Sequence, residues 1–367
     1  MKLQRGRIAL GEVLAGGIPD PVLRLRFLRK TGPSFLYGPR LTGRTWAGFS
    51  LLLLLIPIYS VARYIRTRPP VRAAEIQPAP PPTLPVSLPG HDDTSNIWLV
   101  EKSGTSEIWS NGLRIDNRFL THTHARAWVA FPAPDPARPA PPESRTAPIG
   151  IVFHATESQQ APFEPSESGK LQRLGESLLA FVSRERAYNF VVDRFGRAWR
   201  VVPEEEAANH AGFSAWADEN WRYLNLNESF LAISIESGAN AEISPAQVRS
   251  AAMLVEMLRR RYNIPAANCV THAQISVNPR NMRIGYHTDW LSGFPFAALG
   301  LPDNYAEPLP AIWAFGFDYD PGFADHADPG LRSAIAAAEA SLTPPARKTL
   351  RERYHQMLDE VTRREAH

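Results

Sequence analysis

A chain of 367 residues with 44% hydrophobic side chains can bury at least one sizeable core, and its single cysteine, Cys269, excludes both an intrachain disulfide and a cysteine-rich zinc finger. The net charge of +3 is unevenly spread, because residues 1–72 alone carry 13 Lys/Arg against Glu12 and Asp20, leaving the rest of the chain acidic. That remainder lacks the basic surface needed to neutralise phosphates, so a nucleic-acid partner is disfavoured.

Residues 1–44 form a basic segment without recognisable chemistry. Between Arg44 and Arg63 lie 18 uncharged residues, TWAGFSLLLLLIPIYSVA, enough to cross a hydrocarbon core at ~1.5 Å per residue. Trp46, Tyr59 and Tyr64 sit at its ends, where aromatic rings favour the interface. The stretch lies too deep for a cleaved signal peptide, so 45–65 is expected to be a retained transmembrane anchor with 1–44 in the cytoplasm. Residues 66–95 are proline-rich and read as a semi-rigid polyproline spacer.

Residues 96–131 change character. NIWLVEKS and SEIWSNGLRIDNRF alternate apolar with polar residues, and Asn111-Gly112 is a hairpin signal. So small a β segment is not stable alone and should pack on the domain C-terminal to it. Its His122 and His124 read as a solvated strand edge, with a metal pair as the alternative. A second proline-rich link, 132–147, leads into the main domain, 148–300.

In that domain Ile149–Phe153 is a buried strand ending at His154, and Lys170–Arg186 is an amphipathic helix. Tyr188–Asp193 and Arg197–Val202 make a hairpin about Arg194, Phe195 and Gly196, and Leu231–Glu236 is another buried strand. Ser244 and Pro245 are an N-cap and first-position pair for a helix to Tyr262, closed by Arg259, Arg260 and Arg261 at the negative end of its dipole. Cys269–Ile275 gives the last strand and the site loop, with Cys269 read as a small buried thiol. The C-terminal extension, 301–367, holds an Ala-rich helix capped by Asp328 and another starting at Thr343, with Leu350, Tyr354, Met357, Leu358 and Val361 on one stripe. The expected fold is α/β, a mixed central sheet flanked by helices, preceded by one transmembrane helix and the small β segment.

The chemistry gathers at strand ends. His154 closes an apolar run, and His272, His287 and Asp289 share one loop punctuated by Pro279 and Gly285. Two histidines and one acid, with a fourth position left to water, are the ligands of a catalytic rather than a structural zinc.

Four stretches, in order, resemble the zinc-dependent N-acetylmuramoyl-L-alanine amidases of type 2, the family that includes the peptidoglycan recognition proteins. They are IVFHATES; YNFVVDRFGRAWRVVP followed by Ala208, Asn209, His210, Ala211 and Gly212; AISIESG; and THAQISVNPRNMRIGYHTDW. The resemblance covers residues 149 to about 296 and implies a type 2 amidase-like fold. It implies His154, His272 and Asp289 as ligands of Zn2+, with Glu236 as the catalytic glutamate and His287 in the place of a lysine that supports the oxyanion. The loop from His272 to Asp289 is longer than the family's and Trp290 replaces a proline, so His287 stays open as the third ligand in place of Asp289. His210 is expected to touch substrate, Arg280, Asn281 and Arg283 stand as candidate contacts for stem-peptide carboxylates, and Asn189 lies where relatives often carry a histidine.

The activity so implied is hydrolysis of the bond between N-acetylmuramic acid and L-alanine, with peptidoglycan or muropeptides as partner. The anchor would set the enzyme on the bacterial inner membrane with its catalytic domain facing the periplasm or envelope. The alternatives are a non-catalytic peptidoglycan-binding module, a structural wall tether, and a zinc peptidase cutting elsewhere in the stem.

Overall fold

The computed structural model describes residues 97–134, 140–238, 242–305 and 311–365. The first of these make three short antiparallel strands, β1 (Leu99–Ser103), β2 (Ser106–Trp109) and β3 (Arg114–Asp116). β4 (Trp128–Pro132) and β5 (Glu143–Arg145) pair as a second hairpin. There follow β6 (Gly150–Ala155), helix α1 (Ser168–Glu185), and the hairpin β7 (Phe190–Val192) and β8 (Ala198–Arg200). β9 (Ala215–Ala217), β10 (Trp221–Leu224), the one-turn helix α2 (Leu226–Ser229) and β11 (Phe230–Ile235) lead to helix α3 (Pro245–Tyr262). β12 (Cys269–Thr271) runs into a one-turn helix, α4 (His272–Ile275), and a small hairpin, β13 (Val277–Asn278) and β14 (Arg283–Ile284). The C-terminal part holds α5 (Ala311–Phe315), β15 (Asp318–Tyr319), α6 (Pro321–His326), α7 (Pro329–Ser341) and α8 (Pro344–Glu365).

Eight strands form the central mixed sheet in the order β1-β2-β3-β8-β7-β11-β6-β12. β7, β11, β6 and β12 run parallel, and β6 and β11 are buried along their whole length, as continuous apolar runs require. Side chains alternate between the two faces. On one face Phe153, Phe190, Ile233 and Cys269 pack with Leu254, Val255 and Leu258 of α3. On the other, Val152 and Val270 lie under Trp128, Trp216 and Tyr223 of the four-stranded sheet β5-β4-β10-β9, while Val191 and Trp199 lie under Leu179 and Val182 of α1. His154 and its register partner Ser234 fall by alternation on this second face, between those two clusters.

Local sequence explains most boundaries. Ser244 accepts from Gln247 N–H while Gln247 accepts from Ser244 N–H, a capping box that starts α3 where the sequence predicts, and left-handed Asn263 ends it. Gly196, with φ of 78°, turns the β7–β8 hairpin, and a Cβ there would meet the Ala246 carbonyl oxygen at 2.6 Å, so no other residue fits. One boundary differs. His272 opens a helical turn where the sequence points to an irregular site loop, because Thr271 and Gln274 form a second capping box.

The 96–131 segment is not an appendage. β3 pairs parallel with β8, Ile115 against Ala198, and extends the sheet by three strands. A buried ion-pair bridge seals the join: Arg200 donates to Glu107 at 2.8 Å and to Glu204 at 2.8 and 3.0 Å. His122 pairs with Glu206 and His124 with Glu228, each at 2.8 Å, so the two rings do not share a ligand. Arg126 is buried and donates from Nε to the Glu204 carbonyl at 2.7 Å. Its Nη1 donates to the carbonyls of Asn227, Glu228 and Phe230, each at 3.0 Å, and its Nη2 to Asn189 Oδ1 at 3.1 Å. At the other end of the chain, Tyr354 of α8 is buried against Phe315 and Phe317, with Met357, Leu358 and Val361 half-buried beside it.

The expected placement on an inner membrane is corrected. Among the described residues no helix is long and apolar enough to cross a membrane. The two 18-residue helices and the 22-residue α8 are amphipathic and charged, with Arg259, Arg260 and Arg261 in the last turn of α3 and Arg363 and Arg364 in that of α8. The stretch assigned to the anchor, 45–65, and the spacer after it lie outside the described residues.

Candidate metal centre

Three chain segments deliver the site to the C-terminal ends of the parallel strands, where ligands bind in open α/β sheets. His154 comes from the end of β6. His272 follows directly from β12, whose Thr271 pairs with Phe153, so the register puts the two histidines side by side with ring centroids 4.5 Å apart. Asp289 returns from the loop after β14. Its Oδ1 lies 2.9 Å from His272 Nδ1 and its Oδ2 3.5 Å from His154 Nδ1, and it accepts a weak bond from Ala155 N–H at 3.4 Å. One donor atom from each of the three residues lies within 4.8 Å of the others, and all three side chains are buried.

Burial, and then the neighbouring His272, lower His154 to about 4, so its imidazole is neutral with a lone pair to offer. Burial alone would raise the Asp289 carboxyl, but His272 and His154 beside it hold it well below the usual carboxylate range. A neutral imidazole, a second imidazole nitrogen and an ionised carboxylate converging on one point fit a divalent ion in a two-nitrogen, one-oxygen set. His287 is not in the donor group. Its ring stacks on that of His272 at 4.3 Å between centroids and 19° between planes.

Glu236 follows β11. Continuing the register past Ser234 opposite His154 sets Glu236 opposite Thr156, on the face that carries His154. At ~3.3 Å per residue along a strand and ~4.8 Å between strands, the His154 and Glu236 Cβ atoms stand roughly 8 Å apart, room for side chains and a water between them. Its Oε2 accepts from Arg194 N–H at 3.1 Å and its carbonyl from Gln247 Nε2 at 3.0 Å. Burial, opposed in part by the Arg194 N–H, raises its carboxyl above the ordinary value. Partial burial, followed by His272, lowers the His287 ring to about 4, so near neutral pH it offers a single N–H and no charge.

The remaining expected contacts fall in different places. His210 is drawn in behind His154, its Nδ1 3.1 Å from His154 Nε2 and its own Nε2 buried. Arg280, Asn281 and Arg283 sit on the β13–β14 turn, where Asn281 Oδ1 is engaged by Arg283 N–H. Neither guanidinium enters an ion pair with a described residue. Asn189 is a buried structural link, accepting from Arg126 and Ala232 N–H and donating to the Val202 and Pro203 carbonyls. Cys269 lies on the core face, its thiol pushed up to about 12 by burial. The sequence reading passed over Tyr188, whose ring rests 5.0 Å from that of His154 and whose hydroxyl burial pushes up to about 12. Its φ of 60°, uncommon for an aromatic residue, has no signature in sequence.

Comparison with known proteins agrees with the motifs. Residues 144–289 match the family Amidase_2, described as N-acetylmuramoyl-L-alanine amidase. A relative, the N-acetylmuramoyl-L-alanine amidase AmiD of Escherichia coli (strain K12), is 35% identical over 89 residues, which cover 22% of this chain and 31% of the relative. This chain thus spans about a third of that relative's length. The solved complex of the E. coli enzyme with anhydro-N-acetylmuramic acid-L-Ala-D-gamma-Glu-L-Lys is 25% identical and aligns over 35% of this chain and 49% of that one, with a TM-score of 0.28. The AmpDh3 structure from Pseudomonas aeruginosa, in complex with anhydromuramic pentapeptide, is 18% identical over 57% and 82% of the two chains, with a TM-score of 0.34. At these scores the superpositions add nothing to the strand order given above. By the family match and the order of its motifs, residues 144–289 form a domain of the type 2 N-acetylmuramoyl-L-alanine amidase family.

Proposed function

We propose that this domain hydrolyses the amide bond between the lactyl group of N-acetylmuramic acid and L-alanine in peptidoglycan, on a type 2 amidase-like fold. A zinc ion would be held by His154 Nδ1, His272 Nδ1 and an Asp289 carboxylate oxygen. The observation that carries this reading is the convergence of those three donors, from distant parts of the chain, within a segment matching an amidase family.

An amide resists hydrolysis because its carbon is a weak electrophile and its nitrogen a poor leaving group, so a catalyst must activate water, steady the oxyanion and supply a proton. Zinc in a site with one open position supplies a water acidified towards ~7 and polarises a carbonyl. The rest falls to the chain. Glu236 is fixed through Oε2 by the Arg194 N–H, which leaves Oε1 to take the proton of the attacking water and return it to the departing nitrogen. Its raised carboxyl suits both halves of that task, since it neither holds the proton permanently nor refuses it. His287, held by its stack on His272, would donate its one N–H to the oxyanion, a contact typically worth ~10²- to 10³-fold in rate. Arg280 and Arg283, without carboxylate partners among the described residues, are suited to the acidic groups of the stem peptide.

The test is digestion of purified peptidoglycan with the zinc-loaded protein, followed by mass spectrometry of the soluble products. Stem peptides with free L-alanine amino termini support the reading. Cuts between later residues of the stem, or an intact wall with protein bound to it, would overturn it in favour of a peptidase or a binding module.

A further inference from the structure

His210 stands 56 residues from His154 in sequence, yet its ring meets that histidine edge-on, at 83° between planes and 3.1 Å from Nδ1 to Nε2. One of the two nitrogens must carry the hydrogen, and which one decides whether His154 can serve a metal. The choice is set by the side of the His154 ring that faces the cluster. His154 Nδ1 looks onto Asp289, 3.5 Å from Oδ2, and is the nitrogen placed to hold an ion, while His210 Nε2 is enclosed without a hydrogen-bond partner among the described residues. With Nδ1 of His154 given to the ion, its proton sits on Nε2, and His210 Nδ1 must be the acceptor. We propose that His210 is a positioning residue for the metal centre: through Nδ1 it fixes the tautomer and the ring angle of His154, so that Nδ1 of His154 is free to hold the ion.

The surroundings are built to hold His210 still. Asn227 Oδ1 accepts both the His210 N–H at 2.9 Å and the Ala211 N–H at 2.7 Å. Asn227 lies in α2, and Arg126 Nη1 clamps the carbonyls of Asn227, Glu228 and Phe230 together. A connected path of hydrogen bonds therefore runs from the buried arginine of the N-terminal segment to a side chain of the metal cluster. Outer partners of this kind orient metal-bound imidazoles and raise their basicity, and their loss typically weakens metal binding roughly 10- to 100-fold. With both nitrogens turned inward, His210 has neither one directed at open solvent, which separates this role from direct contact with substrate.

The inference rests on the proposed zinc site, and the experiment separates the two. Zinc dissociation constants are measured by chelator competition for the full-length chain and for His210→Phe, which keeps the ring and loses the acceptor, and His210→Gln, which restores an acceptor oxygen. The expected result is zinc binding by the parent, binding weakened roughly 10- to 100-fold in His210→Phe, and partial recovery in His210→Gln. Equal affinity in all three, or a change in KM with zinc affinity unaltered, would overturn the positioning role and leave the zinc site standing. Failure of the parent to bind zinc would sink both. Should His210→Phe fold poorly, nitrogen NMR of the zinc-loaded parent with labelled histidine decides the same question. His154 and His210 should each be protonated at Nε2, and a proton on His210 Nδ1 would refute the relay.

Discussion

Arg126 is the least conventional member of the core: a cation 1% exposed, answered by four backbone carbonyls and one amide oxygen and, among the described residues, by no carboxylate within hydrogen-bonding reach. Consider Arg126→Met, which keeps the apolar stem and removes the guanidinium. Burial pushes the arginine down to about 10, and at about 1.4 kcal/mol per pKa unit the substitution recovers about 3 kcal/mol of that cost. Against this, it strands five buried acceptors, each at about 1–3 kcal/mol. Water entry and relaxation return part of the loss, leaving a net cost of about 3–5 kcal/mol, the range reached when a buried hydrogen-bond network is broken. For a unit of this size that corresponds to a melting temperature lower by roughly 10 °C. Thermal unfolding followed by circular dichroism measures it. Since Asn227 and Phe230 are among the clamped residues, zinc affinity should fall as well. An unchanged or raised melting temperature would refute the reasoning, because it would mean that the buried charge costs as much as its bonds return.

Other outcomes follow from the same geometry. Glu236→Gln should retain zinc and lose activity by ~10²- to 10⁴-fold, measured as peptide release under saturating metal; loss of zinc in this variant would contradict its role. The same change should leave stability at pH 7 equal or higher. A carboxyl raised in the folded state favours folding when protonated and penalises it once pH climbs past the folded value, and glutamine removes that penalty. The acid limb of kcat/KM should accordingly lie above the ordinary glutamate value, since Glu236 must be ionised to act as base, and a profile flat down to pH 4.5 would count against it. Tyr354→Ala should cost about 3–5 kcal/mol, because the buried ring packs edge-on against both Phe315 and Phe317. Unaltered denaturant stability there would show that α8 is an accessory to the fold.

How far the residues alone foretold this structure depends on the range over which each signal acts. β6 and β11 were readable because a parallel strand buried on both faces must be a continuous apolar run, and α3 because Ser244-Pro245 is a start signal complete within a few residues. The donors His154, His272 and Asp289 were named from residue type and motif order, but their closeness comes from strand register, which no single segment encodes. Thr271 and Gln274 carried a capping signal that the reading of Cys269–Ile275 overlooked, so His272 was placed in an irregular loop instead of a helical turn. The long interval before Asp289 looked like an irregular loop; it contains the β13–β14 hairpin, which is too short for alternation to show and is completed by β15. Arg126 and Tyr188 gave no local sign of burial, since a polar side chain declares its partners only in three dimensions.

The central claim is that two imidazoles and the Asp289 carboxylate share one ion, and zinc content per chain tests it most directly. Elemental analysis of the parent protein, Asp289→Ala and His287→Ala, after dialysis against a weak chelator, should return one zinc per chain in the parent and in His287→Ala and almost none in Asp289→Ala. Zinc retained by Asp289→Ala and lost from His287→Ala would contradict the account.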